Sequence, residues 1–180
     1  MKTNIDVIPD SQVVSDEFPE PKRLALIVSK GTLDQAYPPL VMATTAASMG
    51  WDVAIFFTFY GLDIVHKDRM PKLSVSAVGN PAMPPPMRKV PFHIPTLVGA
   101  LPGMEGAATK MMKSWMSKAN LATIPELLDI AKELGIRMYA CNTTLNVMGV
   151  SNDDLIDGVE FAGAPAFLDF AGESDVQLFI

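Results

Sequence analysis

Two nearly continuous apolar runs, residues 22–29 and residues 51–59, mark the first half of the chain. Such runs are typical of strands that are buried on both faces of a parallel sheet. Between them, residues 40–49 are rich in Ala, Met and Thr and are followed by Gly50, which predicts a helix that ends at a glycine. A strand, a helix and a second strand within about forty residues predict a right-handed βαβ unit.

The start of this helix is ambiguous in the sequence. Thr32 and Gln35 have the spacing of a capping box, which favours a start directly after Thr32. Pro38 and Pro39 follow closely, and proline is best tolerated in the first turn of a helix. We therefore expect either a helix that kinks at the prolines or a regular helix that begins near Tyr37.

The second half of the chain again alternates helical and strand patterns. Residues 123–135 begin with a capping box, Thr123 followed by Glu126, and end in a glycine. Further strands are predicted at residues 136–140, 159–162 and 176–180, and further helices from Asn142 onward and at residues 153–157 and 164–170. This alternation predicts an α/β fold with a five-stranded parallel sheet and helices on both faces.

The regular pattern stops in an insertion at about residues 69–118. Seven prolines lie within residues 81–102, and seven of the twelve methionines lie within residues 70–116. The last part, residues 106–118, predicts an amphipathic helix with Met and Trp on one face and lysines around the rim. We favour an oligomer interface or a lid over the core; the alternatives are partner binding, contact with a membrane surface and copper binding through thioethers.

The composition also indicates the nature of the N-terminal segment and the compartment of the protein. Residues 1–21 contain three prolines, several acids and no apolar stretch of the secretory type, so we expect a flexible leader before a single domain at residues 22–180. The single cysteine excludes an internal disulfide and suits a reducing, cytoplasmic compartment.

Charge is distributed unevenly along the chain. Residues 67–118 carry eight Lys and Arg against two acids, so this segment has a charge of +6 within a chain of net charge −6. The remainder is therefore at −12, which argues against nucleic-acid binding. The basic segment would suit an anionic partner or a membrane surface, or it is simply a solvated basic face.

Few motifs of known enzyme chemistry are present. No glycine-rich phosphate-binding motif follows a strand, no GxSxG motif occurs, and no Cys or His residues have the spacing of metal ligands. His66 and His93 are isolated, and we expect each to be a surface or insertion residue. We therefore expect neither a cofactor nor a metal.

The chemistry that remains belongs to Cys141, the only cysteine of the chain. It is predicted at the carboxyl end of a strand and the amino end of a helix, an edge where α/β sheets bind ligands and where the thiolate is favoured. A lone cysteine is also often a small buried hydrophobe, so the pattern leaves both roles open. A single reactive thiol can carry a persulfide or a mixed disulfide and pass it on, and a Cys-His protease is disfavoured by the positions of the histidines.

Four blocks of the sequence resemble the DsrE-like sulfur-transfer family, in particular its longer subgroup with a Met/Lys-rich insertion. In chain order they are RLALIVSKGTLDQAY, GWDVAIFFTFYGL, LPGMEGAATKMMK and YACNTTLNVMGVSNDDLIDGVEFAGAPAFL. The last block is similar to the subgroup's pattern of a cysteine that closes a strand, a Met-Gly turn, a Leu-Ile-Asp-Gly segment and an aromatic-Ala-Gly helix start. The resemblance covers residues 22–180.

The resemblance implies a flavodoxin-like α/β domain that forms homo-oligomers. It also implies that Cys141 accepts sulfane sulfur as a persulfide or thiosulfonate and exchanges it with TusA-like carriers and rhodaneses in cytoplasmic sulfur oxidation or relay. Some members of the wider family carry a further cysteine. This chain has none, so a mechanism that uses two of its own thiols is excluded.

A small binding site is expected around Cys141. The N–H groups of Asn142 and Thr143 would hold an anionic sulfur species, and Tyr60 with its neighbouring phenylalanine would form a wall. The turn at residues 30–32 ends another strand, and its N–H groups would contribute if it neighbours the thiol; otherwise it is an ordinary tight turn. The predicted catalytic residue is Cys141, and the predicted substrate-binding residues are Gly31, Thr32, Tyr60, Asn142 and Thr143.

A function of another class also remains open, that of a non-catalytic binding or scaffold protein. In that case the Met/Pro-rich insertion would dock a partner or a membrane surface. Cys141 would then serve only in packing.

Overall fold

The computed structural model of the protein describes residues 20–76 and 103–180; residues 1–19 of the predicted leader and the Pro-rich residues 77–102 of the predicted insertion lie outside this part. The strands are β1 (Arg23–Val28), β2 (Asp52–Phe57), β3 (Arg137–Cys141), β4 (Val159–Ala162) and β5 (Val176–Phe179). The α-helices of the described part are α1 (Leu33–Ser48), α2 (Met104–Lys118), α3 (Ile124–Glu133), α4 (Asn142–Met148) and α5 (Ala164–Gly172). Short 3₁₀ helices lie at Phe59–Ile64, Met70–Lys72 and Asn152–Asp154.

All five strands run parallel in one sheet, in the spatial order β4-β3-β2-β1-β5. The predicted five-stranded parallel α/β architecture is confirmed. The chain adds β2, β3 and β4 successively on one side of β1 before β5 returns to the other side, so the strand order differs from the flavodoxin order 2-1-3-4-5.

Helices lie on both faces of the sheet, as predicted, but the two faces are unequally covered. Right-handed crossovers that step in one direction place their helices on one face. Accordingly α1, α3 and α4 share one apolar cluster, to which they contribute residues such as Leu40, Leu128 and Leu145. The last connection steps back in the opposite direction, and α5 packs Phe167 and Phe170 into a smaller cluster on the other face.

Helix α1 begins at Leu33, so the alternative of a regular start near Tyr37 is wrong. Thr32 is the N-cap residue, but its side chain makes no capping hydrogen bond, so the predicted capping box with Gln35 is absent. The N–H of Leu33 donates instead to the carbonyl of Ser74, with an N···O distance of 2.8 Å. A carbonyl from a distant segment thus accepts one of the N–H groups that the first turn of the helix leaves without a partner. A local sequence pattern could not reveal this hydrogen bond.

The end of the insertion is helical, as its amphipathic pattern predicted. Helix α2 begins at Met104, directly after Gly103 in a left-handed conformation with φ +89°. None of its residues is fully buried. The side chains of Ala108 and Met112 are partly buried and pack against the core. No helix of residues 20–76 and 103–180 has the length and apolar character needed to cross a membrane.

Helix α3 begins with the predicted capping box. The side chain of Thr123 accepts a hydrogen bond from the N–H of Glu126, and the Glu126 carboxylate accepts one from the N–H of Thr123 at 2.7 Å. Here the cap is complete within four residues, so the sequence pattern alone was sufficient to predict it.

Candidate functional site

Cys141 is both the last residue of β3 and the N-cap residue of α4, which is the position that the apolar pattern predicted. The strand carries it to the carboxyl edge of the sheet, where the loops after β1 and β2 also emerge. Its side chain lies in the small cluster beneath α5, together with Phe56 and Phe167. With 8% of the residue exposed, only a small part of the thiol region meets solvent.

Two threonine hydroxyls lie next to the thiol. The register of β2 and β3 pairs Phe57 with Ala140, and this sets Thr58 beside Cys141 at the ends of the two strands. The Oγ1 atoms of Thr58 and Thr144 are 3.0 Å apart and share a hydrogen bond. Thr144 is 3% exposed and Thr58 is half-buried, so this bond is partly shielded from water. We call Thr58 and Thr144 the hydroxyl pair.

Phe59 has an unusual backbone conformation beside the hydroxyl pair. Its φ is +47°, a left-handed value that costs a residue other than glycine roughly 1–2 kcal/mol. Its N–H donates to Oγ1 of Thr144, with an N···O distance of 3.2 Å. The hydrogen bond therefore ties the turn after β2 to α4 and helps to hold this conformation.

The loops after β1 and β2 are in direct backbone contact through two glycines. A Cβ atom at Gly31 would overlap the carbonyl oxygen of Tyr60, and one at Gly61 would overlap the carbonyl oxygen of Val28. Both positions therefore exclude any side chain. This contact fixes the path of the turn that begins with Phe59.

The pKa of the Cys141 thiol results from opposing influences. Burial is the largest and raises the pKa, whereas the hydroxyl and N–H of Thr144, the hydroxyl of Thr58 and the N–H of Thr143 lower it. The net result is a pKa below the ordinary value for cysteine. The N–H groups act on Sγ without forming a capping hydrogen bond to it. At a given pH the thiolate, which is the nucleophilic form, is therefore more populated than in a cysteine of ordinary pKa.

Two predicted binding residues, Asn142 and Thr143, lie in the first turn of α4 beside Cys141, and both are exposed. The N–H of Thr143 contributes to the lowered pKa of the thiol. The N–H of Thr144 also lowers this pKa. The binding of an anionic sulfur species by Asn142 and Thr143 stays a prediction.

The other predicted binding residues, Gly31, Thr32 and Tyr60, line a separate cleft of about 380 Å³ at the end of β1. Cys141 is not among the residues that line this cleft. Within the described part of the chain, Oγ1 of Thr32 and Oδ1 of Asp34 are buried without a hydrogen-bond partner. The turn at residues 30–32 therefore lines a cleft of its own, and its contribution to a site at the thiol stays a prediction.

His66 is only 7% exposed, so the expectation of a surface or insertion residue is wrong for it. Its Nδ1 accepts a hydrogen bond from the N–H of Asp68 at 3.2 Å. It borders a charged cleft of about 530 Å³ in which Arg69 and Asp63 form an ion pair at 2.8 Å. The thiol does not line this cleft. His93 lies outside the described residues.

The sequence patterns did not identify the hydroxyl pair. The available signals were weak: Thr58 directly follows an apolar strand, and Thr144 stands three residues after the cysteine. Threonine is common at both kinds of position. The pairing of β2 with β3 is what brings the two hydroxyls together.

Comparison with known proteins identifies similar sequences across the whole sheet. The model of the DsrE/DsrF/DrsH-like family matches residues 20–179. Sulfur carrier protein DsrE2 of Allochromatium vinosum is 48% identical over 161 residues, which are 89% of this chain and 99% of that protein. The uncharacterized protein YrkE of Bacillus subtilis is 30% identical over 162 residues, 88% of this chain and 97% of that protein. The match to the solved structure of the ychN protein of E. coli covers 89% of this chain and 99% of the ychN chain, with 14% sequence identity and a TM-score of 0.48.

Proposed function

Because the chain belongs to the DsrE/DsrF/DrsH-like family, we propose that it is a sulfur carrier that holds sulfane sulfur as a persulfide on Cys141. The relative that is 48% identical along almost its whole length is named as a sulfur carrier, which supports this role. The observation that carries the proposal is the setting of the only cysteine, at the carboxyl edge of the sheet with hydrogen-bond donors around its sulfur.

Loading of Cys141 is a thiol exchange reaction. The Cys141 thiolate attacks the outer sulfur of a persulfide donor, a bond forms between Sγ and that sulfur, and the donor's own sulfur–sulfur bond breaks. The electron pair of the broken bond leaves with the donor as its thiolate. A lowered pKa supports this step, because it raises the fraction of Cys141 present as thiolate near neutral pH.

Partners in such a relay must present a persulfide or a thiol. We propose a TusA-like sulfur carrier or a rhodanese for this role, in a cytoplasmic pathway of sulfur oxidation or relay. The chain itself is proposed to form a homo-oligomer. Large apolar side chains that remain exposed on a single chain support this assembly, and they include Phe161, Leu168 and Phe179.

Mass spectrometry of the intact protein after incubation with polysulfide tests the function. We expect a mass increase of about 32 Da, the mass of one sulfur atom, that disappears on treatment with a thiol reductant. The Cys141→Ser variant should show no increase. An adduct of this mass on Cys141→Ser, or its absence from the unmodified protein at every donor concentration, would contradict the proposal.

A second candidate function is docking to an anionic membrane surface through α2. It is favoured by the observation that no residue of α2 is fully buried, while Lys110, Lys113 and Lys118 are exposed on it. Sedimentation with vesicles that contain phosphatidylserine tests it. Binding should be lost when the three lysines are replaced by Gln and retained when Lys132 of α3 is replaced by Gln. Absence of binding by the unchanged protein excludes this candidate.

A further inference from the structure

The hydrogens of the hydroxyl pair can be counted. Thr58 and Thr144 together hold two hydroxyl hydrogens, and one of them forms the bond between the two Oγ1 atoms. Oγ1 of Thr144 also accepts the N–H of Phe59. Within residues 20–76 and 103–180, neither hydroxyl donates to any other oxygen or nitrogen atom. One hydroxyl hydrogen is therefore left over, whichever threonine donates within the pair.

The hydroxyl pair lies next to the sulfur of Cys141, because the register of β2 and β3 sets Thr58 beside Cys141 and Thr144 stands in the first turn of the helix that Cys141 caps. Both hydroxyls act on Sγ, and so do the N–H groups of Thr143 and Thr144. The one spare hydroxyl hydrogen and the two N–H groups can be donated to a sulfur that carries negative charge. Hydrogen bonds to a charged atom are about twice as strong as those between neutral groups, so these groups stabilise Sγ most when it is a thiolate.

We infer that the hydroxyl pair promotes release of sulfur from Cys141, because its spare hydrogen stabilises the thiolate that release creates on Sγ. The inference rests on the proposed function, since it concerns the step that follows persulfide formation. Phe59 is a positioning residue in this arrangement. Its N–H occupies one lone pair of the Thr144 oxygen and so directs the hydroxyl hydrogens toward Thr58 and the sulfur.

The release step accounts for every bond and electron pair. In the persulfide, Sγ is neutral and the outer sulfur carries the proton or the charge. An acceptor thiolate attacks the outer sulfur, a new sulfur–sulfur bond forms, and the bond between Sγ and the outer sulfur breaks. The electron pair of the broken bond remains on Sγ, which leaves as a thiolate. The charge thus develops on the atom next to which the hydroxyl pair lies.

A direction of transfer follows from this geometry. A leaving thiol of lower pKa leaves faster, and it holds sulfur less tightly than a thiol of ordinary pKa. Groups that stabilise the Cys141 thiolate therefore bias the equilibrium toward sulfur on the acceptor. We expect Cys141 to give sulfur to ordinary thiols and to be loaded by a donor in excess, such as polysulfide.

The first test measures the pKa of Cys141 from the pH dependence of its alkylation by iodoacetamide. The chain has one cysteine, so the rate reports on this thiol alone. Thr144→Val removes the hydroxyl but keeps the shape of the side chain, and it should raise the pKa by about one pH unit. Thr144→Ser should restore the original value. Thr58→Val provides an independent second variant.

Thr44→Val of α1 is the matched control. Thr44 is 8% exposed, and its hydroxyl donates to the carbonyl of Leu40 at 2.9 Å, so the change removes a buried hydroxyl away from the sulfur. This control should leave the alkylation profile unchanged. A purely structural effect of losing a buried hydroxyl would instead appear in both valine variants.

The second test measures release. Each protein is loaded with polysulfide and then treated with cyanide, which attacks the outer sulfur and forms thiocyanate while Cys141 leaves as a thiolate. Thr144→Val should slow thiocyanate formation about threefold, and Thr144→Ser should restore it. Thr44→Val should release sulfur at the unaltered rate.

The outcomes separate the inference from the proposed function. If the unchanged protein loads sulfur but the valine variants of both threonines in the pair alkylate and release like it, the inference is wrong and the carrier function stands. If no persulfide forms on the unchanged protein, the carrier function fails. The alkylation profiles would then still show whether the hydroxyl pair stabilises the thiolate, but release from Cys141 would be overturned as its role.

Discussion

At the scale of single residues, the chemistry of Cys141 depends on the balance between burial and hydrogen bonding. Burial alone would raise the pKa of the thiol and make it an inert core residue. The polar hydrogens of Thr58, Thr143 and Thr144 reverse that direction. The hydroxyl of Thr144 is buried, and a donor in the interior competes with little solvent, so its effect on the thiol is stronger there than at the surface. The thiol of a buried cysteine can therefore keep a pKa below its ordinary value.

A dependence of stability on pH follows from the lowered pKa of Cys141. An acid whose pKa is lower in the folded state stabilises that state above its unfolded pKa, and this contribution is lost as the pH falls through the folded pKa. The free energy of unfolding of the unchanged protein, relative to Cys141→Ser, should therefore rise between the lowered folded pKa and the ordinary value of 9.0. Urea unfolding of both proteins across this range measures the difference. A difference that stays constant with pH would contradict the lowered pKa.

The left-handed backbone of Phe59 predicts that two substitutions differ in their effect on the free energy of unfolding. Phe59→Gly relieves the strain of φ +47° and should keep the free energy of unfolding within about 1 kcal/mol of the original. Phe59→Val introduces a β-branched side chain at this conformation and should lose about 1–2 kcal/mol or more. Thermal and urea unfolding compare the two variants. Equal stability of both would show that the conformation is unstrained.

At the scale of elements, the site is assembled where short segments end together. Helix α4 has only seven residues and ends at Met148, directly before Gly149 with φ +62°, so it is a short support for the thiol. The turn after β2 supplies Thr58 and is anchored on both sides. The N–H of Thr58 donates to the carbonyl of Val28 at 2.9 Å, and the next residue is bonded to α4. The position of the hydroxyl pair therefore depends on contacts between loops of neighbouring strands.

The contact between these loops predicts that a Cβ destabilises the fold at one glycine, whereas a Cβ at a glycine outside the contact does not. Gly61→Ala places a Cβ against the carbonyl oxygen of Val28, so it should destabilise the fold by about 1–3 kcal/mol and change the alkylation rate of Cys141. Gly106→Ala on α2 is the matched control, because a Cβ there meets no atom within 4 Å. It should stabilise the helix by about 0.5–1 kcal/mol. Similar effects of the two substitutions would disprove the close contact.

At the scale of the whole molecule, the two faces of the sheet differ in how many helices cover them. Three helices contribute to the cluster on one face, whereas α5 is the helix of the described residues that covers the other. On this thinner face Phe167 stacks on Phe56, with ring centroids 4.9 Å apart. Arg137 lies 4.3 Å from the ring of Phe170 and is paired with Asp52. The Cys141 thiol lies on this side, so access to it depends on the packing of α5.

Removal of aromatic packing on the thin face should expose the thiol. Phe167→Ala should cost about 3–5 kcal/mol and increase the alkylation rate of Cys141 several-fold, because both residues belong to one cluster. Leu128→Ala on the opposite face is the control, with a cost of about 2–5 kcal/mol and little change in alkylation. Alkylation rates in native buffer and unfolding curves measure both effects. An equal increase in both variants would mean that general loss of stability, not α5, controls access.

The sequence by itself determined the features that local patterns encode. Apolar runs specified the first two strands to within a residue or two, and the spacing of Thr123 and Glu126 specified a helix cap that is complete within four residues. The same local reasoning placed Cys141 between a strand and a helix. These predictions succeeded because periodicity and capping depend on neighbours along the chain.

Only the tertiary structure decided which of these ends meet. The order β3-β2-β1 puts Thr58 next to Cys141 and moves Gly31 and Thr32 to a separate cleft, although all follow strands in the sequence. The cap of α1 is replaced by a bond to Ser74, which lies forty-one positions from Leu33. Such contacts depend on the packing of distant segments, which no local pattern records. The physical reason is that strand order is chosen by the energy of the whole sheet, while each strand by itself is compatible with several neighbours.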